Sequence, residues 1–253
     1  MRRCLLAIAI ASAAPLQVNA ADIKVLCVGG VQPAISILVP QFERASGYKV
    51  SINYVSPAGA LRDRVLTDQD VDVAFMPSSV LADVEKAGKI VPGSRVEIAR
   101  TPLAVGIRAG AAKPDLSTPD AVKRAVLAAK SIALSDPKAN SPIGTYFMGV
   151  ADKFGFGPEL RARMILIQGG GVAVSEAVAR GEADMTVTLM SEILSVKGAE
   201  VAGPLPPELQ NIIVTSAILV PGGKEPEGGR ALIKFLRTPE AIKVFKSKGQ
   251  DPS

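Results

Sequence analysis

The sequence predicts an α/β protein of two lobes, each a mixed sheet flanked by helices, joined by two crossover strands. Short apolar runs alternate with stretches of helical spacing along the chain. The strand, turn and helix grammar runs once, stops at a middle segment and restarts. Extended segments at 100–107 and 212–220 are placed to carry the chain out to a second lobe and back.

The first twenty residues predict an export signal, because Arg2 and Arg3 precede an apolar run over 4–14 and Val18-Asn19-Ala20 supplies small residues for cleavage. The run is shorter than the roughly 20 residues of a spanning helix. Cys4 leaves with that segment and implies no lipid anchor, so Cys27 remains alone without a disulfide partner. Its place in the apolar run 23–28 marks it as a buried structural thiol.

The first predicted strand is 23–28, broken by Gly29-Gly30. Ala34, Ile35, Leu38, Val39 and Phe42 then recur at helical spacing until Gly47. A strand at 50–55, the turn Ser56-Pro57-Ala58-Gly59, a helix at 60–66 and a strand at 71–76 complete the first unit. In the second unit Thr118 and Pro119 begin a helix as N-cap and first helical residue. A strand at 131–134, a long turn to Gly144, a helix at 145–154 and a strand at 164–167 follow. Then come Gly169-Gly170-Gly171, a helix at 172–180 and a strand at 185–189. The last helix is capped by Thr238, opened by Pro239 and stopped by Gly249, with Ala241, Ile242, Val244 and Phe245 on its apolar face.

The chain contains no histidine, which removes the commonest general base and the commonest zinc ligand together. No metal, cofactor or catalytic residue is expected, and Asp72 and Asp184, each just before a strand, read as structural turn acids. The net charge of +5 falls to about +3 without Arg2 and Arg3, and it is spread along the chain. With three tyrosines and no tryptophan for base stacking, nucleic acid is not an expected partner.

Open α/β sheets bind ligands beyond the carboxyl ends of their strands. Four strand-to-helix junctions fit that place, at 28–31, 55–59, 135–145 and 169–172, two in each lobe. Helix starts offer unpaired amides and the positive end of the peptide dipole to an anion. The candidate ligand-binding residues are Gly29, Gly30, Val31, Ser56, Ala58, Gly59, Arg62, Ser141, Ile143, Gly144, Thr145, Gly171, Val172 and Leu189. Arg62, one turn into its helix, is placed to pair with a ligand carboxylate or to stay solvated.

The segments ADIKVLCVGG, SPAGALRDRV, VDVAFM, SDPKANSPIGTY, VARGEADMTV and FLRTPEAIKVFKSKG, in this order and spacing, resemble the periplasmic molybdate-binding proteins of ABC importers. The resemblance runs from Ala21 to about Pro252. It implies a two-lobed periplasmic binding protein fold of type II and a tetrahedral oxyanion held between helix starts by neutral donors. On this pattern, the family's first serine falls at Gly30, its second near Pro57 or Ala58 with Ser56 just before, and its tyrosine at Leu189. Main-chain donors fall near Ile143 and Val172. Losing hydroxyls at three places is expected to open space and make one wall apolar, which fits a larger organic anion.

The sequence therefore predicts a monomeric periplasmic protein with lobe I over 21–102 and 214–253 and lobe II over 103–213. Its expected partners are a small anion, molybdate-like or an organic acid, and an inner-membrane ABC permease. Two alternatives stay open: a freestanding periplasmic ligand sensor, and a hydrolase or lyase that works with carboxylates.

Overall fold

Alternating strand faces set the architecture of the computed structural model, which describes residues 21–252 except Gln69 and Asn140. The predicted export signal lies outside the described residues. In the first lobe β1 (Asp22–Val28) runs parallel to β2 (Lys49–Val55) and to β3 (Val73–Pro77), while β4 (Val96–Thr101) forms the far edge. Three helices connect them: α1 (Gln32–Ser46), α2 (Ala58–Thr67) and α3 (Ser78–Lys86). After Pro102 the chain enters the second lobe as β5 (Leu103–Arg108).

The second lobe continues through α4 (Pro119–Ala128), β6 (Ile132–Ser135), α5 (Pro142–Lys153), α6 (Gly157–Arg163) and β7 (Met164–Ile167). It closes with α7 (Gly171–Ala179), β8 (Met185–Leu189), α8 (Met190–Leu194) and β9 (Ala199–Pro204). The chain then returns as β10 (Ile213–Leu219) and ends in α9 (Pro226–Phe235) and α10 (Pro239–Ser247).

The two sheets have equivalent strand orders, β2-β1-β3-β10-β4 and β7-β6-β8-β5-β9. In each, three parallel strands end in a pair that runs antiparallel to its neighbours, and one strand of each pair is a crossover. The predicted extended segments at 100–107 and 212–220 are these crossovers, with Pro102 dividing the first into β4 and β5. Gln210 clasps the junction: its Oε1 accepts from the Leu103 amide at 2.7 Å, and its Nε2 donates to the carbonyls of Leu103 and Leu205 at 3.1 Å.

The central strands of each sheet are buried on both faces between helical layers. Ile23, Val25 and Cys27 of β1 point with Phe75 and Leu219 toward Ile35, Leu38 and Phe42 of α1. Leu26, Ala74, Met76 and Ile218 point the other way, toward Leu61 and Val65 of α2 and Leu81 of α3. In the second lobe Leu103, Val105, Leu134 and Val187 pack on Val122, Phe147 and Leu160, while Ala133 packs on Val174, Ala177 and Val178 of α7. Cys27 is fully buried, which pushes its thiol pKa up and leaves it an inert core residue.

Helix ends follow local chemistry. Gly47 takes φ 79° and stops α1, and Thr118 and Thr238 accept the amides of Ala121 and Ala241 to cap α4 and α10. Two starts fall two or more residues earlier than the spacing predicts. α2 begins at Ala58 because Pro57, at its N-cap, already sets the turn, and α5 begins at Pro142 because the Ser141 hydroxyl caps it by accepting from the Gly144 amide at 3.4 Å. Asp72 accepts the amides of Lys24 and Glu225, each at 2.7 Å, and Asp184 accepts that of Lys130, so both acids serve as structural turn residues.

Candidate functional site

The carboxyl ends of the parallel strands in both sheets face one another across a cleft. Val28 ends β1, Ser56 and Pro57 follow β2, and Pro77 ends β3 with Ser79 just after it on one side. Ser135 ends β6, Gly170 and Gly171 follow β7, and Leu189 ends β8 on the other. Ile213 and Thr215 of the crossover strand β10 complete the wall. The starts of α2, α5 and α7 reach this cavity through Ala58, Pro142 with Ile143, and Gly171. Three helix starts thus border one space of about 50 Å³, room for a few water molecules or a small anionic group, with the Gly171 amide of α7 already turned to the Glu192 carboxyl.

The lobes touch around this space. The Ser191 hydroxyl of α8 donates to the Gly30 carbonyl at 2.7 Å, and the Gln250 side-chain amide donates to the same carbonyl at 2.8 Å. The Ser56 side chain reaches across to Gly170 of the opposite lobe. A Cβ on Gly30 would lie 2.7 Å from Leu189 Cδ1, closer than side-chain atoms approach. The expected opening of space at Gly30 and Leu189 is therefore corrected: the leucine occupies the volume that the glycine vacates. The wall there is apolar, as expected, but closed.

The predicted residues divide in two. Gly30, Ser56, Ala58, Ser141, Ile143, Gly171 and Leu189 line the cavity, and Gly29 lies behind it, with a Cβ position 3.6 Å from Glu192 Oε1. The others stand elsewhere. Val31 is buried in the core of the first lobe, Gly59 is buried within α2, and Gly144 lets α5 approach the Ser135 carbonyl. Thr145 is exposed and donates to the Ser141 carbonyl at 3.0 Å, while the side chain of Val172 faces an outer depression beside Glu176 and Arg180. Arg62 is corrected from ligand partner to surface residue: it pairs with Asp63 at 2.7 Å and Asp83 at 3.3 Å and does not line the cavity.

Sequence reasoning missed the most consequential group. Glu192 is 4% exposed and is the single ionisable side chain lining the cavity among the described residues. It follows β8 by three residues, so its carboxyl turns back to the strand end, where Oε2 accepts from the Thr188 hydroxyl at 2.8 Å. Glycine at 171 is what admits it, since a Cβ there would collide with Glu192 Oε2 and Thr188 Oγ1. Burial raises the Glu192 pKa, while the Thr188 hydroxyl and the amides of Leu189 and Gly171 draw it back down. Desolvation dominates, so the carboxyl holds its proton above the ordinary carboxylate range.

Chemically, the cavity offers amide and hydroxyl donors, one carboxyl and, among the described residues, no cation. An anion bound here is neutralised by dipoles, not by a counter-charge.

Comparison with known proteins agrees with this geometry. The family model for bacterial extracellular solute-binding proteins matches residues 23–250. An aconitate isomerase from a Pseudomonas species is 31% identical over 240 residues, 91% of this chain and 87% of that one. The molybdate-binding protein of Azotobacter vinelandii is 24% identical over 237 residues, 91% of this chain and 90% of its own. A solved structure of the periplasmic molybdate-binding protein from Azotobacter vinelandii superposes with a TM-score of 0.75 at 21% identity, covering 90% of this chain and 98% of that one.

Proposed function

The chain belongs to the bacterial extracellular solute-binding proteins as a divergent, molybdate-binding-type member, and from that premise we propose that it closes around a small organic acid in the periplasm. In this reading it works as a monomer, exported by its N-terminal segment, and delivers that ligand to an ABC permease. The observation that carries the choice of ligand is Glu192. A fully ionised tetrahedral oxyanion such as molybdate has no proton to donate, so a buried carboxyl against it is repulsive when charged and offers a single donor when neutral. An organic acid supplies hydroxyl or protonated carboxyl groups for the carboxyl oxygens and carbon for the apolar wall at Leu189 and Ile213.

The test is thermal melting of the purified protein against molybdate, tungstate, sulfate, phosphate and a panel of di- and tricarboxylic acids. A ligand at 100 times its dissociation constant adds about 2.7 kcal/mol. Carboxylic acids are expected to raise the melting temperature and molybdate is not. A shift with molybdate alone overturns the reading.

A second reading has its own support. The relative named aconitate isomerase, at 31% identity along most of both chains, favours an unsaturated tricarboxylate as the solute and its isomerisation as an activity of the same cleft. The absence of histidine leaves carboxylate chemistry untouched.

A further inference from the structure

Shifting a double bond within an unsaturated polycarboxylic acid needs little equipment. One group must remove a proton from the carbon that lies between a carboxylate and the double bond. The same group, if it sits over one face of the three-carbon unit, can return the proton to the far carbon. Dipoles must hold the negative charge that collects on the carboxylate oxygens in between.

The cavity contains one of each. Glu192 Oε2 is fixed by the Thr188 hydroxyl at 2.8 Å, and Oε1 lies on the side of Gly29, 3.6 Å from its Cβ position and 4.0 Å from that of Gly170. The starts of α2, α5 and α7 border the same space, α2 and α7 without a side-chain cap at their N-cap positions, and the Gly171 amide is directed to the Glu192 carboxyl itself. No second ionisable side chain lines the cavity among the described residues, so a proton taken from a ligand there has one acceptor. A structural role alone leaves the placement unexplained: Glu192 pairs with no cation among the described residues, and it occupies space that needs glycine at 171 to exist.

We propose that Glu192 is the proton-transferring group of an isomerase activity in this cleft, acting on an unsaturated polycarboxylic acid by a one-base allylic proton shift. The inference rests on the second reading above. In the step, a C–H bond breaks and its proton bonds to a Glu192 oxygen. The electron pair moves into conjugation with the double bond and the distant carboxylate, giving a dienolate held by the helix amides. The Glu192 O–H then breaks, and its proton forms a C–H bond at the other end of the allylic unit. The double bond has moved one position, its geometry is free to change, and no electrons are gained or lost.

The experiment uses trans-aconitate with the full chain and follows cis–trans interconversion by proton NMR, alongside the ligand-induced melting shift. Wild type is expected to interconvert the isomers, and Glu192→Gln to lose at least 100-fold in rate at saturating ligand, a loss larger than any reduction in its melting shift. Glu192→Asp, which retracts the carboxyl, is expected to retain a fraction of the rate with an altered pH profile, and it serves should the glutamine variant fail to fold. Interconversion by Glu192→Gln within a few-fold of wild type overturns the assignment. A melting shift without interconversion in wild type overturns the activity and leaves the binding reading standing. If no carboxylic acid shifts the melting temperature or is turned over, both fall.

Discussion

At Glu192 the packing of four loops decides what one side chain can do. Its segment, Leu189 to Leu194, reads in the sequence like any short helical stretch with an acid on it. Burial comes from Gly29 and Gly170-Gly171, remote in the chain, and no local pattern announces it. Its titration has a stated sign. The folded protein holds this proton more tightly than the unfolded chain, whose carboxyl titrates near 4.5. Its stabilising contribution is complete below that pH and declines as pH rises toward the raised folded value. The groups facing it are Gly29 after β1, Ser56 before α2, Gly170 and Gly171 at the start of α7, and Thr188 and Leu189 of β8, none of which titrates in that range. Glu192→Gln is therefore expected to gain stability relative to wild type as pH climbs above 4.5, measured by urea unfolding across pH. Parallel curves for the two proteins contradict the burial.

Gly30 and Leu189 give a second residue-level expectation. Gly30→Ser puts a Cβ into Leu189 Cδ1 and is expected to cost about 1–3 kcal/mol. Combined with Leu189→Ala, the two losses are expected to fall short of their sum, because truncating the leucine makes room for the serine. Strictly additive losses in a double-mutant cycle show that the contact is not made.

At the scale of elements, capping chemistry and apolar periodicity carried most of the fold. Thr238 with Pro239 marks α10 in the sequence and caps it in the structure, so Thr238→Ala is expected to cost about 1 kcal/mol in thermal unfolding without altering ligand affinity. The elements that sequence reading left out have physical reasons. α9 contains Gly228 and Gly229, poor helix formers, because Ile23, Leu219 and Val73 press against those two positions and leave no room for a Cβ. α3 starts directly from Pro77 at a strand end, with no side-chain cap to signal it, and α8 is only five residues long. The site was half legible for a related reason. Turns that follow strands can be read from Gly, Ser and Pro, and seven of the fourteen expected residues line the cavity. Which side of a helix start faces the cleft depends on lobe-to-lobe packing, which is why Arg62, Thr145 and Val172 turn outward.

At the scale of the whole molecule, the crossover strands meet the contacts that hold the lobes together. The Gly30 carbonyl receives Ser191 from the far lobe and Gln250 from after α10, joining three distant parts of the sequence in a buried contact beside the cleft. One such hydrogen bond is worth about 0.5–1.5 kcal/mol net. Ser191→Ala is expected to speed ligand release by roughly 2- to 10-fold in stopped-flow chase experiments, with little change in association. Equal effects on both rates contradict a contact made in the closed state.

A crevice that meets negative charge with peptide dipoles and hydroxyls alone has a bearing on where such a protein can serve. Mobile ions weaken attraction between exposed charges over about 8 Å at physiological ionic strength, and they screen oriented amides in a largely buried crevice much less. Under the proposed function, retention of the captured solute is expected to change little with salinity. For a family that works outside the cytoplasmic membrane, where ionic composition follows the surroundings and not the cell, that constancy would let one affinity hold from fresh water to brine.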